Sequence, residues 1–546
     1  MADLTPMSTW TADDAAHLGR RAGFGISPEA AAALAAQAPG AAVDAWVDGT
    51  GVDRTLFDAV WAARADVVDE PQRNAGSDPG SVNVPAVPGP HAFLVGGAQA
   101  WRNDLTRGQA SLAFRMQYEP NALAGRMALF WHNLFATGNH KVANVALMVE
   151  QYAMLRAHGL DRFDDLLVLV SKDPAMCIWL DSVQNNASGS NVPNENYARE
   201  VMELYSLGAD NGYNQEDIAQ LARGLAGWSF TVAEADLIAN PTSPQSRTVA
   251  RGSFRVYDGS ANPDPYLWSE SRRATLPQMR GTGTISFLGA TFDLASPPAG
   301  MAPGEDAIRS ILTSRPAQCA EFLAKRILTH FVTARFGQQD LADVAAMIRA
   351  AGFDLRAAMR TLLKSRYFFA AENRHALVEG PVSWLVRAAR ALGYDLASGD
   401  AAAPKGFPAW ALAVNPYLDQ AGMKLLDPNG PNGWKEDVAW MNSNSVRYRT
   451  KYAAALALAE QVTRDGKAYV LFPSQVSRWF PQPPANAVAV HDRLAALLQP
   501  GPIPAAVRDG WLQALWPSTF TWDAASETKA RELAYLILCS PAGQLY

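Results

Sequence analysis

The sequence predicts a mainly α protein, a large compact multi-helix bundle with an irregular, partly β excursion near residues 241–304. Three observations predict it. Stretches such as CAEFLAKRILTHFV, DLADVAAMIRAAG, DLRAAMRTLLKSRYFF and ETKARELAYLILCS repeat apolar residues every three or four positions, the period of one buried helix face. Few segments show the alternation of a half-buried strand. The 546 residues are 49% hydrophobic and 18% charged, proportions with which a chain buries a substantial core.

The excursion sets the expected organisation: an N-terminal helical part over 1–240, the Pro/Gly-rich insertion over 241–304, and a C-terminal helical part over 305–546 that packs on the first. Strand-like GTISFLGATF lies inside the insertion, and Pro71 to Pro90, rich in Pro, Gly, Ser and Asn, reads as a long surface loop. A net charge of -6 with no long run of one sign provides no basic footprint, so no nucleic-acid partner is expected. Cys177, Cys319 and Cys539 lie far apart, without Cys-x-x-Cys spacing, and read as small buried hydrophobes. The opening MADLTPMSTWTADDAAHLGRRAGFG has no apolar run of signal-peptide length, and no segment approaches the apolar length of a transmembrane span. Compartment is left open by this reading.

Taken in order, the first informative element is a helix over Asn121 to Thr137, NALAGRMALFWHNLFAT, apolar almost all the way round and therefore buried. Arg126, His132 and Asn133 on it must find partners, because an unpaired buried polar group costs about 1–3 kcal/mol. Either they satisfy one another and a nearby loop, or they line a site. Next comes NENYAREVMELYSLG, Asn194 to Gly208. On a helical wheel Glu195, Arg199, Glu203, Asn196 and Glu200 share one arc and Tyr197, Ala198, Val201, Leu204 and Tyr205 the other. Asn194 or Asn191 is the expected cap, and Arg199 has Glu195 and Glu203 one turn away on either side. Such an arc is either a solvated face or the wall of a cleft. In the second case Glu200 and Glu203 are placed as general acid and base, or as oxygen ligands, with His132 or Arg126 opposite. Asn214 is the expected cap of a following helix, Gln215 to Trp228.

In the C-terminal half, Trp434, Trp440 and Trp479, like Trp268 and Trp410, fall in loops and read as ring anchors. DPNGPNGWKEDVAWMNSNS is turn-rich and ends by capping a helix at Ser443 or Asn444. No G-x-G-x-x-G after a strand, Walker A, H-E-x-x-H, EF-hand or Gly-x-Ser-x-Gly pattern occurs, so nucleotide-dependent, zincin and α/β-hydrolase chemistry find no support.

Together HLGRRAGFG, LFWHNLFATG, DPAMCIWLD, PNENYAREVMELYSLG, YNQEDIAQLARGLAGW, VEGPVSWLVRAARALG, LLDPNGPNGWKEDVAWMNSNSVRYR and LILCSPAGQ resemble successive blocks of the bacterial family called domain of unknown function 1800. The resemblance runs from about His17 to the C-terminus. It implies a bacterial protein, often exported, and a partner of phosphatase-like or sulfatase-like type. The chain departs from the family pattern at Leu134 and Tyr205, where the family usually has histidine, and around Tyr257, Asp258 and Ile285 to Gly289, where a His-Asp pair and a lysine are missing. With those histidines lost, a divalent metal is disfavoured, no metal ligands are assigned and no cofactor is expected. The expected site then has Glu200, Glu203 and His132 as catalytic groups and Arg126, Asn133, Asp181, Glu195, Arg199, Tyr205 and Trp434 as substrate-binding groups. Two functions follow: a hydrolase-like or lyase-like enzyme acting on an extracellular or surface polymer through a Glu/Arg/His cleft, or a non-catalytic helical scaffold that binds the partner protein.

Overall fold

The computed structural model describes residues 1–58, 105–120, 122–142, 145–232, 252–256, 279–393, 417–459, 461–464, 467–470 and 475–546. Within these the protein is mainly helical, and strands occur as three two-stranded antiparallel ladders. The expected loop at Pro71 to Pro90, Trp268, Trp410 and the Tyr257-Asp258 pair lie outside the described residues.

Local chemistry sets the helix ends. Thr11 and Asp14 form a reciprocal capping box at the start of Ala12–Arg21, and Asn214 and Asp217 do the same for Gln215–Gly224. The second helix stops short of the expected Trp228. Gly304 crosses so close to Gly224 that a Cβ on Gly304 would lie 2.5 Å from the Gly224 carbonyl oxygen, and Gly227 turns the chain at φ 83. Trp228 instead opens the strand Trp228–Val232, paired with Gly252–Val256. The helix over the glutamates spans Asn196–Glu203 with Glu195 at its N-cap, while the Asn194 side chain accepts the Asn196 N–H at 2.9 Å. Asn442, one residue before the expected caps, accepts the Ser445 N–H at 2.9 Å and starts Ser443–Ala457.

GTISFLGATF forms the hairpin Thr284–Phe287 with Ala290–Asp293. Its two-residue turn places Leu288 at φ 50 and Gly289 at φ 88, as a turn matching strand twist requires. A leucine is strained there, and it is held from both sides: its N–H donates to Asp217 Oδ1 at 2.8 Å and its side chain is buried.

One hydrophobic cluster extends from Ala2 to Leu538 and joins both halves of the chain. Trp131, Trp228, Trp384 and Trp479 are among its largest fully buried side chains. Trp479 donates its Nε1–H to Leu392 O at 3.0 Å, as an anchoring tryptophan does. Cys177 and Cys319 are buried free thiols, and Cys539 is partly buried. Backbone bonds tie remote segments together: Arg366 N donates to Thr5 O at 2.9 Å, Phe163 N to Phe353 O at 3.0 Å, and Val378 bridges Leu545. Among the described residues, no helix is long and apolar enough to cross a membrane.

Candidate functional site

The buried helix observed over Ala122–Leu134 supplies the first wall. Trp131 stacks on Phe135 and Phe163 and donates Nε1–H to Gly159 O at 2.8 Å, which fixes the helix's rotation. That rotation turns Arg126, His132 and Asn133 toward segments more than two hundred residues away. His132, 1% exposed, accepts the Leu426 N–H on Nε2 at 3.0 Å and meets Trp434 and Tyr152 edge-on. Burial pushes its imidazole down to about 4, so it is neutral, and the bond to Leu426 assigns the proton to Nδ1. His132, expected as a catalytic group, thus holds the Leu426 loop, with its acceptor nitrogen already committed.

Asn133 holds the same loop further along. Its Oδ1 accepts the Trp434 N–H at 2.6 Å and its Nδ2 donates to Glu436 Oε1 at 3.4 Å. Gly433 makes this approach feasible: at φ 66, a Cβ there would lie 2.1 Å from the Asn133 carbonyl oxygen. Gly433→Ala is expected to lower stability by about 1–3 kcal/mol in urea unfolding, since overpacking and a left-handed backbone act together. A variant as stable as the parent would show that the loop tolerates retreat from Asn133.

The second wall comes from the helix Pro316–Ile327, which runs into a single π turn, Leu328–Val332. Such wide turns are rare and concentrate at functional sites. This one carries His330, whose ring packs on Phe130 and Phe331 and whose Nδ1 lies 3.0 Å from Glu436 Oε1. His330 Nε2 is buried and has no hydrogen-bond partner among the described residues. Burial lowers the imidazole pKa, the bond to Glu436 opposes this, and the charges of Arg126 and Arg21 reinforce it. For Glu436, burial acts to raise the pKa, but the bond from His330, the charge of Arg326 and the bond from Asn133 outweigh it and hold the carboxyl below its usual range. The pair is therefore a neutral imidazole, Nδ1–H on an ionised carboxylate, with the Nε2 lone pair uncommitted.

Arg126, 1% exposed, closes the cleft. It donates to Ser383 Oγ at 2.5 Å and Tyr546 Oη at 2.7 Å, and Tyr546 Oη in turn donates to His330 O at 3.1 Å. The Tyr546 ring has Arg21 at 4.5 Å and Arg126 at 5.0 Å from its centroid, and Arg126 Nε makes no hydrogen bond. The cleft has a volume of about 30 Å³ and is lined by Arg126, Asn133, His330, Ser383, Trp434, Glu436, Trp440 and Tyr546.

The glutamate helix forms a separate group. Glu195 accepts from Arg199 at 3.0 Å and Gln215 at 2.7 Å, and Asp181 accepts from Lys141 at 2.9 Å and Asn196 at 3.2 Å. Glu200 is half-buried, its pKa raised by burial and by Glu203 against the charge of Arg199. Among the described residues, no hydrogen bond or ion pair joins Glu200 or Glu203 to His132 or Arg126. Tyr205 is buried, edge-on to Phe135 and 3.8 Å from Met176 Sδ, so it packs this helix rather than facing a cleft. No three His, Cys, Asp or Glu side chains among the described residues gather as a metal-binding group.

Three residues expected from the sequence, Arg126, Asn133 and Trp434, thus meet in one cleft. His330 and Glu436, which complete it, were not singled out by sequence. His330 lies in CAEFLAKRILTHFV, which periodicity reports only as a helix, and Glu436 lies 106 positions away in a turn-rich block. No curated protein and no solved structure matches the chain. A family model does, over residues 17–545, nearly the whole length. The chain with this cleft belongs to the family described as protein of unknown function, DUF1800.

Proposed function

We propose that the chain is an acid–base enzyme of the hydrolase or lyase kind, with its reacting centre in the His330–Glu436 cleft. One observation carries this reading: a neutral imidazole, oriented by a carboxylate 3.0 Å away and with its second nitrogen unpartnered, shares a cleft with a buried arginine. His330 takes a proton through Nε2 and returns it to the leaving group. Glu436 is a positioning residue that fixes the tautomer and steadies the imidazolium. Arg126 stabilises negative charge developing on the substrate, in surroundings where water competes little. The small cleft receives the reacting bond alone, while the rest of an extended substrate, an extracellular or surface polymer, stays outside. His330, positioned by Glu436, takes over the acid–base roles expected of Glu200 and Glu203, whose carboxylates bond to no cation or imidazole among the described residues.

A second reading, a non-catalytic scaffold for a phosphatase-like or sulfatase-like partner protein, draws on the half-buried Glu200 beside Glu203, an acidic step that a cationic surface would cover. Hydrolysis of p-nitrophenyl esters by the parent, His330→Gln and Glu200→Gln, each with its melting temperature, separates the two. The expected result is turnover by the parent, a loss of about 10²-fold or more in His330→Gln at unchanged melting temperature, and no change in Glu200→Gln. Equal rates in the parent and His330→Gln overturn the proposal. Loss in Glu200→Gln alone returns the chemistry to the acidic helix, and an inert parent leaves the scaffold.

A further inference from the structure

A second and larger cleft lies at the other end of the helix Pro381–Leu392. Gly380 and Ser383, at the start of this helix, line the His330 cleft, whereas Arg387, Arg390 and Ala391, near its end, line a cavity of about 520 Å³. Volumes of this order hold cofactor-sized or drug-sized molecules. We propose that this cavity binds a small organic anion, a carboxylate, sulfonate or phosphate group carried on an apolar, ring-bearing body.

The charge of the walls points to the anionic group. Four arginines, Arg387, Arg390, Arg478 and Arg493, face two carboxylates, Glu29 and Asp53. Arg387 is paired with the fully buried Glu379, 2.7 Å from its Nε. Arg493 pairs with Glu29 at 2.7 Å, and Asp53 is turned to the Thr55 N–H at 2.8 Å. Among the described residues, no salt bridge joins Arg390 to an acid. Its Nη1 donates to Met116 O at 3.1 Å and Gln117 O at 2.8 Å, two neutral acceptors that hold the guanidinium in place, and its Nε and Nη2 make no hydrogen bond. Burial pushes it down to about 10, so it stays charged at neutral pH. A half-buried cation with no acid bonded to it is electrostatically unfavourable. A bound anion relieves this, and the planar fork suits carboxylate, sulfonate or phosphate oxygens.

The rest of the lining points to the body. Leu56, Tyr118 and Pro120 lie on the same walls and are exposed or half-buried, so they offer apolar surface and a ring to a ligand. Inorganic phosphate alone would fill a small part of about 520 Å³ and leave this apolar lining uncovered.

Fluorescence titration of the full chain with 8-anilinonaphthalene-1-sulfonate tests the proposal, with Arg390→Met, Arg390→Lys and Arg493→Met alongside and a thermal melt of each. The parent is expected to saturate at one site, with affinity falling as sodium chloride rises. Arg390→Met is expected to bind about tenfold or more weakly, Arg390→Lys to lose less, and inorganic phosphate to compete only at high concentration. Parent-like affinity in a folded Arg390→Met, or no saturable site in the parent, overturns the proposal. Should Arg390→Met fail to fold, undiminished binding in both Arg390→Lys and Arg493→Met overturns it, and weaker binding in either supports it. Ester hydrolysis at the His330 cleft is a separate measurement, so the two readings fail independently.

Discussion

Glu379→Gln is expected to destabilise the protein by about 3–5 kcal/mol, the loss found when one partner of a buried ion pair is removed. Glu379 is 0% exposed, and its Oε2 accepts Arg387 Nε at 2.7 Å. Its charge also reaches the buried Arg20, Arg21 and Arg449. Burial lowers all three, to about 9 for Arg20 and about 10 for Arg21 and Arg449, and Glu379 acts to raise each of them. Four guanidiniums thus share one deeply buried acid. The amide retains the volume and removes the charge, which leaves Arg387 desolvated opposite a neutral group. Equilibrium urea unfolding of Glu379→Gln, Arg387→Met and the double variant Glu379→Met/Arg387→Met measures this. The double variant is expected to recover much of the loss, because replacing both charges by apolar groups removes the desolvation penalty along with the attraction. A single variant within about 0.5 kcal/mol of the parent would mean that Arg387 does not depend on this partner.

The second large effect is a pH dependence. Asp173, 8% exposed, caps the helix Pro174–Trp179 by accepting the Met176 N–H at 2.9 Å, and its Oδ1 also accepts Gln151 Nε2 at 2.7 Å. Burial pushes its carboxyl up to about 7 although these bonds favour the ionised form. The folded state therefore holds this proton more tightly than the unfolded state, where the group titrates near 3.8. Between those values folding is linked to proton uptake, so stability falls as pH rises, by about 4 kcal/mol over the window, and is level above and below it. Asp173→Asn keeps the Oδ1 acceptor and removes the titration. Its stability relative to the parent is expected to grow between pH 4 and pH 7 by an amount of that order. Comparison at each pH cancels the opposite trend from His132 and His375, lowered to about 4 and about 3, which lose stability as pH falls from the ordinary histidine range through those values. Parallel stability curves for the two proteins would show that Asp173 is ionised throughout.

How far the site was legible in the sequence depends on how far apart its parts lie. The all-round apolar pattern of Leu123 to Phe135 requires a buried helix, and the polar residues on it require partners, whatever those partners are. The amphipathic period from Glu195 to Tyr205 likewise settles which side chains face inward, and Tyr197, Val201 and Tyr205 are buried as that period demands. From sequence, Glu200 and Glu203 read as catalytic because they lie close together and in a polar context. Local spacing cannot tell a cleft from a surface, and His132, the group expected to face them, is committed to Leu426 instead. The helix end at Gly224 was misplaced for a similar reason. The close crossing of Gly304 that ends it comes from a segment eighty residues later.

Alone, the sequence determined the helical class, the buried helix bearing Arg126, His132 and Asn133, the strand-like character of GTISFLGATF and the family, because periodicity and motif order are properties of neighbours along the chain. Only the tertiary structure decided that His330 meets Glu436, that Tyr546 joins Arg126 to the His330 carbonyl, and that Arg390 lines a cleft with no acid bonded to it among the described residues. Those contacts join residues 106 and 420 positions apart, brought together by burial of apolar surface that is indifferent to which polar groups it carries along.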